Sequence, residues 1–173
     1  MDAIKNIMSR ISVRQFSDQA ISEVDLRQIL VAGMAGPSCK NTRDWSFLVV
    51  RDRETLNKMA DANGPSAEPL RKCQVGILVC GDLERSFELA PDYWVIDGSI
   101  ATQNMILAAH ALGIGSVWLG TWPQISRMQG QAELFNLPET QKPHSIIAFG
   151  YPKNESTKEK LIWEEDRVHY EKW

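Results

Sequence analysis

Tyr93-Trp94-Val95-Ile96-Asp97-Gly98-Ser99-Ile100-Ala101-Thr102-Gln103-Asn104-Met105-Ile106-Leu107-Ala108-Ala109-His110-Ala111-Leu112-Gly113 is the longest helical signal in the chain, and Gly113 stands at a natural C-cap. The stretch is apolar on more than one face, so a helix here needs cover all round. Gly98, Ser99, Ala101, Thr102, Ala108, Ala109 and Ala111 are small and permit close approach by another element. A chain of 173 residues has little left with which to surround such a helix. Periodicity alone leaves two arrangements open: a central helix within one subunit, or a helix partly packed against a second copy across a twofold axis.

Working outward, the remaining pattern reads as short apolar strands separated by helices. Ile4, Ile7, Met8 and Ile11 recur at helical spacing. Ser22 followed by Glu23 and Asp25 caps a second helix, with Leu26, Ile29 and Leu30 on one face, running to about Gly33. Trp45 to Val50 is rich in aromatic and β-branched residues and predicts a buried strand. A short helix carrying Leu56, Met59 and Ala60 follows, and Asn63-Gly64-Pro65 breaks it. Val75 to Cys80, Ser116 to Leu119 and Ser145 to Phe149 are further candidate core strands. One domain spanning residues 1–173 is expected, with a charged and aromatic extension over about 153–173 that would lie on a neighbouring subunit.

Composition narrows the function classes. Hydrophobic residues make up 43% and charged residues 24%, an ordinary globular balance. A net charge of −3 and a pI near 5.6 give no overall cationic field, which argues against nucleic acid or anionic membrane as a partner. The three cysteines form no C-x-x-C pair, so neither a disulfide framework nor a structural zinc is expected. With no signal-peptide pattern after Met1, a cytoplasmic location with reduced thiols is the expectation.

Two short polar runs carry the chemistry. Arg10-Ile11-Ser12-Val13-Arg14 places two guanidiniums about a hydroxyl, a geometry suited to clamping a phosphate. Gly36-Pro37-Ser38-Cys39-Lys40-Asn41-Thr42-Arg43-Asp44-Trp45 is the second. Other constellations fail: the three histidines are scattered, there is no G-x-S-x-G elbow or Walker loop, and Gly113-Ile114-Gly115 lacks the rest of a dinucleotide fingerprint. His110 reads as a packed histidine, and Cys39 has no base partner placed by the sequence. A chain with this inventory works as an enzyme when a cofactor carries the reaction.

Across nearly its whole length the chain resembles the FMN-dependent nitroreductase family in its short single-domain form. The resemblance rests on Arg10 to Phe16, Gly33 to Ser38 with Asn41 and Trp45, Val79 to Asp82, Tyr93 to Asp97, Thr102 to Asn104, Ala108 to Gly113, Val117 to Gly120, Ile147 to Pro152 and Arg167 to Trp173, in that order. It implies an α+β fold: a mixed, mainly antiparallel sheet flanked by helices, in a homodimer joined through the long central helix. It implies bound FMN at the interface, with Arg10, Ser12 and Arg14 on the phosphate and ribityl chain. Pro37, Ser38 and Asn41 would reach the flavin from the other subunit, and Leu119 and Gly120 would bring a backbone N–H to flavin N5. NADH or NADPH would reduce the ring, and an electron-poor small molecule such as a nitroaromatic or quinone would reoxidise it in ping-pong fashion. Trp118, Trp122 and Tyr93 are candidate pocket walls. The chain departs from the family pattern at Arg43-Asp44, where relatives often carry Gln-Pro, and at Ile162, where an Arg is common; Lys158 or Lys160 would then supply the missing charge. A flavin- or nucleotide-sensing protein without turnover fits the same anion clamp.

Overall fold

The computed structural model describes residues 2–154, 160 and 162–173. Four strands form one sheet in the order β1-β2-β4-β3: β1 is Trp45–Val50, β2 Val75–Asp82, β3 Gly115–Gly120 and β4 Gln141–Gly150. All three pairings are antiparallel. The parallel contribution comes from outside the four strands, at a bridge between Ser12 and Ser116.

Alternation along the strands sends side chains to two separate cores, as a sheet covered on both faces requires. Leu78, Cys80, Val117, Leu119, Ile146 and Ala148 pack beneath α3 (Arg53–Asn63), a 3-10 segment over Pro65–Arg71 and α5 (Ile125–Phe135). Val75, Ile77, Val79, Ile147 and Phe149 face α2 (Glu23–Met34) and α4 (Trp94–Ala111). Most of these side chains are wholly buried, and each contributes on the order of 2 kcal/mol by leaving water.

Helix α4 packs against α2 and the sheet, so one long side is covered within the chain. Gly33 explains how closely α2 approaches: a methyl there would collide with the Met105 side chain. The helix ends where expected, with Gly113 at φ +76°. The first helix, α1 (Ala3–Ser9), stops earlier than its apolar period suggests, and Ile11 lies outside it. From Arg10 the backbone runs extended along the β3 edge, where the Val13 N–H donates to Ser116 C=O at 2.8 Å. Val13 sits against Gly115, a position where a side chain would overlap it.

Candidate functional site

The site forms where strand β3 leaves an edge open. Ser116 C=O accepts from Val13, and Gly120 C=O accepts from Asn63 Nδ2 at 3.2 Å and Arg127 Nη1 at 2.8 Å. Those acceptors point away from β4, so by the two-residue period of a strand the backbone groups of Ser116, Trp118 and Gly120 face outward. Leu119 alternates the other way: its backbone faces β4 opposite Ile146 and its side chain belongs to the core. Of the expected pair it is therefore Gly120 that presents an N–H to the open edge.

Alongside that edge lies a cavity of about 520 Å³. Arg14 and Gln15 form one wall, residues Val117 to Gly120 the floor, and Pro65, Ser66, Glu68, Pro69 and Lys72 the opposite wall. This size falls within the range of small-molecule sites. Pre-set 3-10 geometry with Pro at its start makes the second wall stiff. Asn63 fixes the strand end from α3, because its Oδ1 also accepts from Thr121 Oγ1 at 2.9 Å and the side chain is fully buried.

Arg10, Ser12 and Arg14 share one side of an extended segment, since the side-chain period there is two. Arg10 is half-buried; Ser12 and Arg14 are exposed. Neither arginine forms an ion pair among the described residues. Arg10 lies near the C-terminal end of α4, where burial and then its positive charge hold His110 below the usual histidine range. His110 itself meets Ser9 Oγ at 2.9 Å from Nε2, which ties α1 to α4. Lys160 runs beside α1 through its backbone N–H on Met8 C=O at 2.9 Å. Lys158 lies outside the described residues.

Pro37, Ser38 and Asn41 are elsewhere. They belong to the turn before β1, the opposite edge of the sheet, about 14 Å across by three strand spacings. One chain therefore does not bring them to the cavity. Near that turn and beyond it, α1, α2, α4 and the 3-10 turn before α4 expose Ile4, Ile7, Val24, Val31, Met34, Tyr93 and Ile96. Val24, Val31, Ala32, Ala35, Ala108 and Leu112 line a second, largely apolar hollow of about 670 Å³ between α2 and α4. Apolar exposure on this scale marks an interaction surface.

The aromatic candidates divide. Trp118 lines the cavity and tilts over the His144 ring, with centroids 5.7 Å apart. Trp122 meets Trp94 edge-on at 6.4 Å, and Tyr93 is exposed at the head of α4. Burial pushes His144 down to about 4, so the ring is neutral and bridges Ser145 Oγ at 2.9 Å and Val95 C=O at 3.1 Å. Among the described residues no three acidic, histidine or cysteine side chains converge as a metal site, and no helix is long and apolar enough to cross a membrane.

Sequence reasoning missed Asn63, Arg127 and the wall from Pro65 to Lys72. The Asn63-Gly64-Pro65 breaker was the available signal: it marks where α3 must stop, and that stop is the site's rim.

Comparison with known proteins agrees with the geometry. The family model for the nitroreductase family matches residues 7–79 and 65–151. A Methanothermobacter thermautotrophicus protein named "Putative NADH dehydrogenase/NAD(P)H nitroreductase" is 42% identical, the alignment covering 100% of this chain and 88% of the relative. A Bacillus subtilis protein named FMN reductase [NAD(P)H] is 26% identical over 98% of this chain and 74% of its own length. Among solved structures, a Bacteroides thetaiotaomicron protein of the same description as the first relative superposes with a TM-score of 0.91 at 38% identity, covering 99% of this chain and 98% of that one. An FMN-dependent nitroreductase from Clostridium difficile R20291 gives 0.89 at 26% identity, with 98% and 99% covered. The open strand edge, two arginines without an ion pair among the described residues and these likenesses have one reading: the chain belongs to the nitroreductase family.

Proposed function

We propose that this oxidoreductase is a homodimer that binds one FMN per chain in the β3-edge cavity and passes electrons from NADH or NADPH to an electron-poor small molecule. The observation that carries the reading is the outward backbone edge at Trp118 and Gly120 facing a cavity beside Arg14, which makes no ion pair among the described residues. A planar heterocycle with donors and acceptors along one side matches such an edge, and a phosphate matches the arginines. These residues fit FMN.

Arg10 and Arg14, with Ser12 between them, would hold the phosphate end, and Lys160 lies close enough to α1 to add charge there. Gly120 would direct its N–H at the position of the flavin N5, and Asn63 and Arg127 hold that residue still by fastening its carbonyl. A donor so fixed stabilises negative charge that develops opposite it without reorganising. When bound, the flavin supplies the redox chemistry, accepting a hydride from the nicotinamide and reducing the acceptor in a second step. Trp118 would wall the ring, and Lys72 would stand at its far edge.

The turn with Pro37, Ser38 and Asn41 would reach the flavin held by a second copy, because within its own chain it sits on the wrong edge of the sheet. The exposed apolar faces of α1, α2 and α4 supply the surface for that pairing. Trp163, Tyr170 and Trp173 are exposed and would lie on the partner, making 153–173 an extension of a single domain. Three free cysteines suit a reducing, cytoplasmic compartment. The test is spectroscopic: purified protein should be yellow or take up FMN at one per chain, and anaerobic NADPH or NADH should bleach it. Protein that binds no FMN would refute the reading; a yellow protein that neither nicotinamide bleaches would instead point to sensing without turnover.

A further inference from the structure

Two carboxylic acids are buried beneath the turn that carries Pro37, Ser38 and Asn41. Asp44, just before β1, is 0% exposed, and Asp97, in the first turn of α4, is 2% exposed. The two carboxyls are near enough for Asp97 to act on Asp44 directly. Asp44 Oδ2 accepts from Ser86 Oγ at 3.0 Å, and Asp97 Oδ2 accepts from the Cys39 backbone N–H at 2.9 Å. Asp44 Oδ1 is buried and meets no donor among the described residues. Such an oxygen, buried beside a second carboxyl, is satisfied when it carries a proton and donates it to that neighbour.

No neighbouring cation does that work. Arg85 pairs with the Asp82 carboxylate, and Arg43 donates from Nε to Asn41 Oδ1. Lys40 is exposed, and His144, against Gly98, is neutral above about pH 4. Burial first, then the Asp97 carboxyl, push Asp44 up to about 6.

The turn above the pair is strained. Lys40, Asn41 and Arg43 have φ of 50°, 59° and 52°, in the left-handed region that side chains other than Gly rarely adopt. Its internal bonds run from Asn41 N–H to Ser38 C=O at 3.0 Å, from Thr42 N–H to Cys39 C=O at 3.0 Å and from Arg43 N–H to Ser38 Oγ at 2.9 Å. Among the described residues, the hydrogen bond that ties residues 38–43 to α4 is the one from Cys39 to Asp97. Strain of this kind persists when the surroundings over-determine it.

We propose that Asp44 and Asp97, sharing one proton, act as a positioning pair that holds the 37–43 turn in the shape needed to reach FMN, so that flavin affinity weakens as the pair gives that proton up. The proposal rests on the flavin reading above. With both carboxyls ionised, repulsion between two neighbouring buried charges drives Asp97 from Cys39 and lets the turn relax.

The test measures FMN binding by quenching of flavin fluorescence, from pH 5 to pH 8, for the wild type, Asp44→Asn and Asp97→Asn, with hydrogen exchange of residues 36–44 followed in parallel. An amide at position 44 mimics the protonated acid and has no proton to lose. Taking the ratio of wild-type to Asp44→Asn dissociation constants cancels the titration of FMN's own phosphate. That ratio should rise by about tenfold across the range, as loss of about one pK unit of coupling gives. Exchange in 36–44 should quicken with pH in the wild type beyond the intrinsic rate and stay flat in Asp44→Asn. Asp97→Asn, whose amide keeps an oxygen for the Cys39 N–H and offers a donor to Asp44, should likewise bind FMN with no rise in the ratio and show flat exchange. A constant ratio with parallel exchange curves overturns the proposal, and Asp44→Asn alone decides it if Asp97→Asn does not fold. Absence of FMN binding by the wild type at every pH overturns the flavin reading and the affinity claim together, and is told apart because the exchange curves are still read.

Discussion

Asp44→Asn should stabilise the protein at pH 8 by more than at pH 4.5. Asp44 rises from 3.8 to about 6 on folding, so its protonated form is favoured by the native state. A carboxyl shifted upward contributes stability that is fully present below the unfolded value and lost as pH rises through the folded one. About two pK units correspond to about 3 kcal/mol lost by pH 8, of which about 1 kcal/mol is already gone at pH 4.5. Asparagine keeps an oxygen for Ser86 and gains N–H donors toward Asp97, without the titration. The stability gap between the two proteins should therefore widen by about 2 kcal/mol over that range, equivalent to about 4–8 °C in Tm for a chain of this size. Guanidinium unfolding of the FMN-free protein at fixed protein concentration, at pH 4.5, 6 and 8, measures it. A gap that stays constant with pH would refute the assignment, as would a variant less stable than the wild type at pH 8.

Arg14→Ala should weaken FMN binding by about 1.5–3 kcal/mol through loss of a charge-assisted hydrogen bond, and equilibrium titration checks it. Gly81→Ala should destabilise by about 1–3 kcal/mol, because a methyl there would sit inside the Trp94 ring; denaturant unfolding against the wild type gives the value. A thiol reagent at pH 8 should label the half-buried Cys39 in the native protein, while Cys73 and Cys80, whose thiols burial pushes up to about 12, react only after unfolding. Peptide mapping of the labelled protein distinguishes them.

Local chemistry made several elements legible. Strand β1 occupies Trp45–Val50 as its aromatic and β-branched composition predicts, and Ser22 caps α2 by accepting from the Asp25 N–H. Ile11 misled because it fits a helical period, but pairing of the following residues with the β3 edge draws the backbone extended. Helix α5 gave little signal: its buried residue is Gln131, which donates to Met59 C=O in place of packing apolar surface. The proposed clamp could be read from Arg10, Ser12 and Arg14, since charge spacing is local. Its opposite wall could not, because Lys72 and Pro69 reach the cavity only through tertiary packing. The left-handed turn at Lys40 to Arg43 contains no glycine and so announced nothing.

If the coenzyme covers the bare flank at Trp118 as proposed, its absence has a cost. Unsatisfied strand backbone is a template on which another chain can add itself. Freshly synthesised or flavin-starved protein would then clump through this selvedge, and the ligand would double as its hem, keeping sister molecules from stitching on in the wrong place.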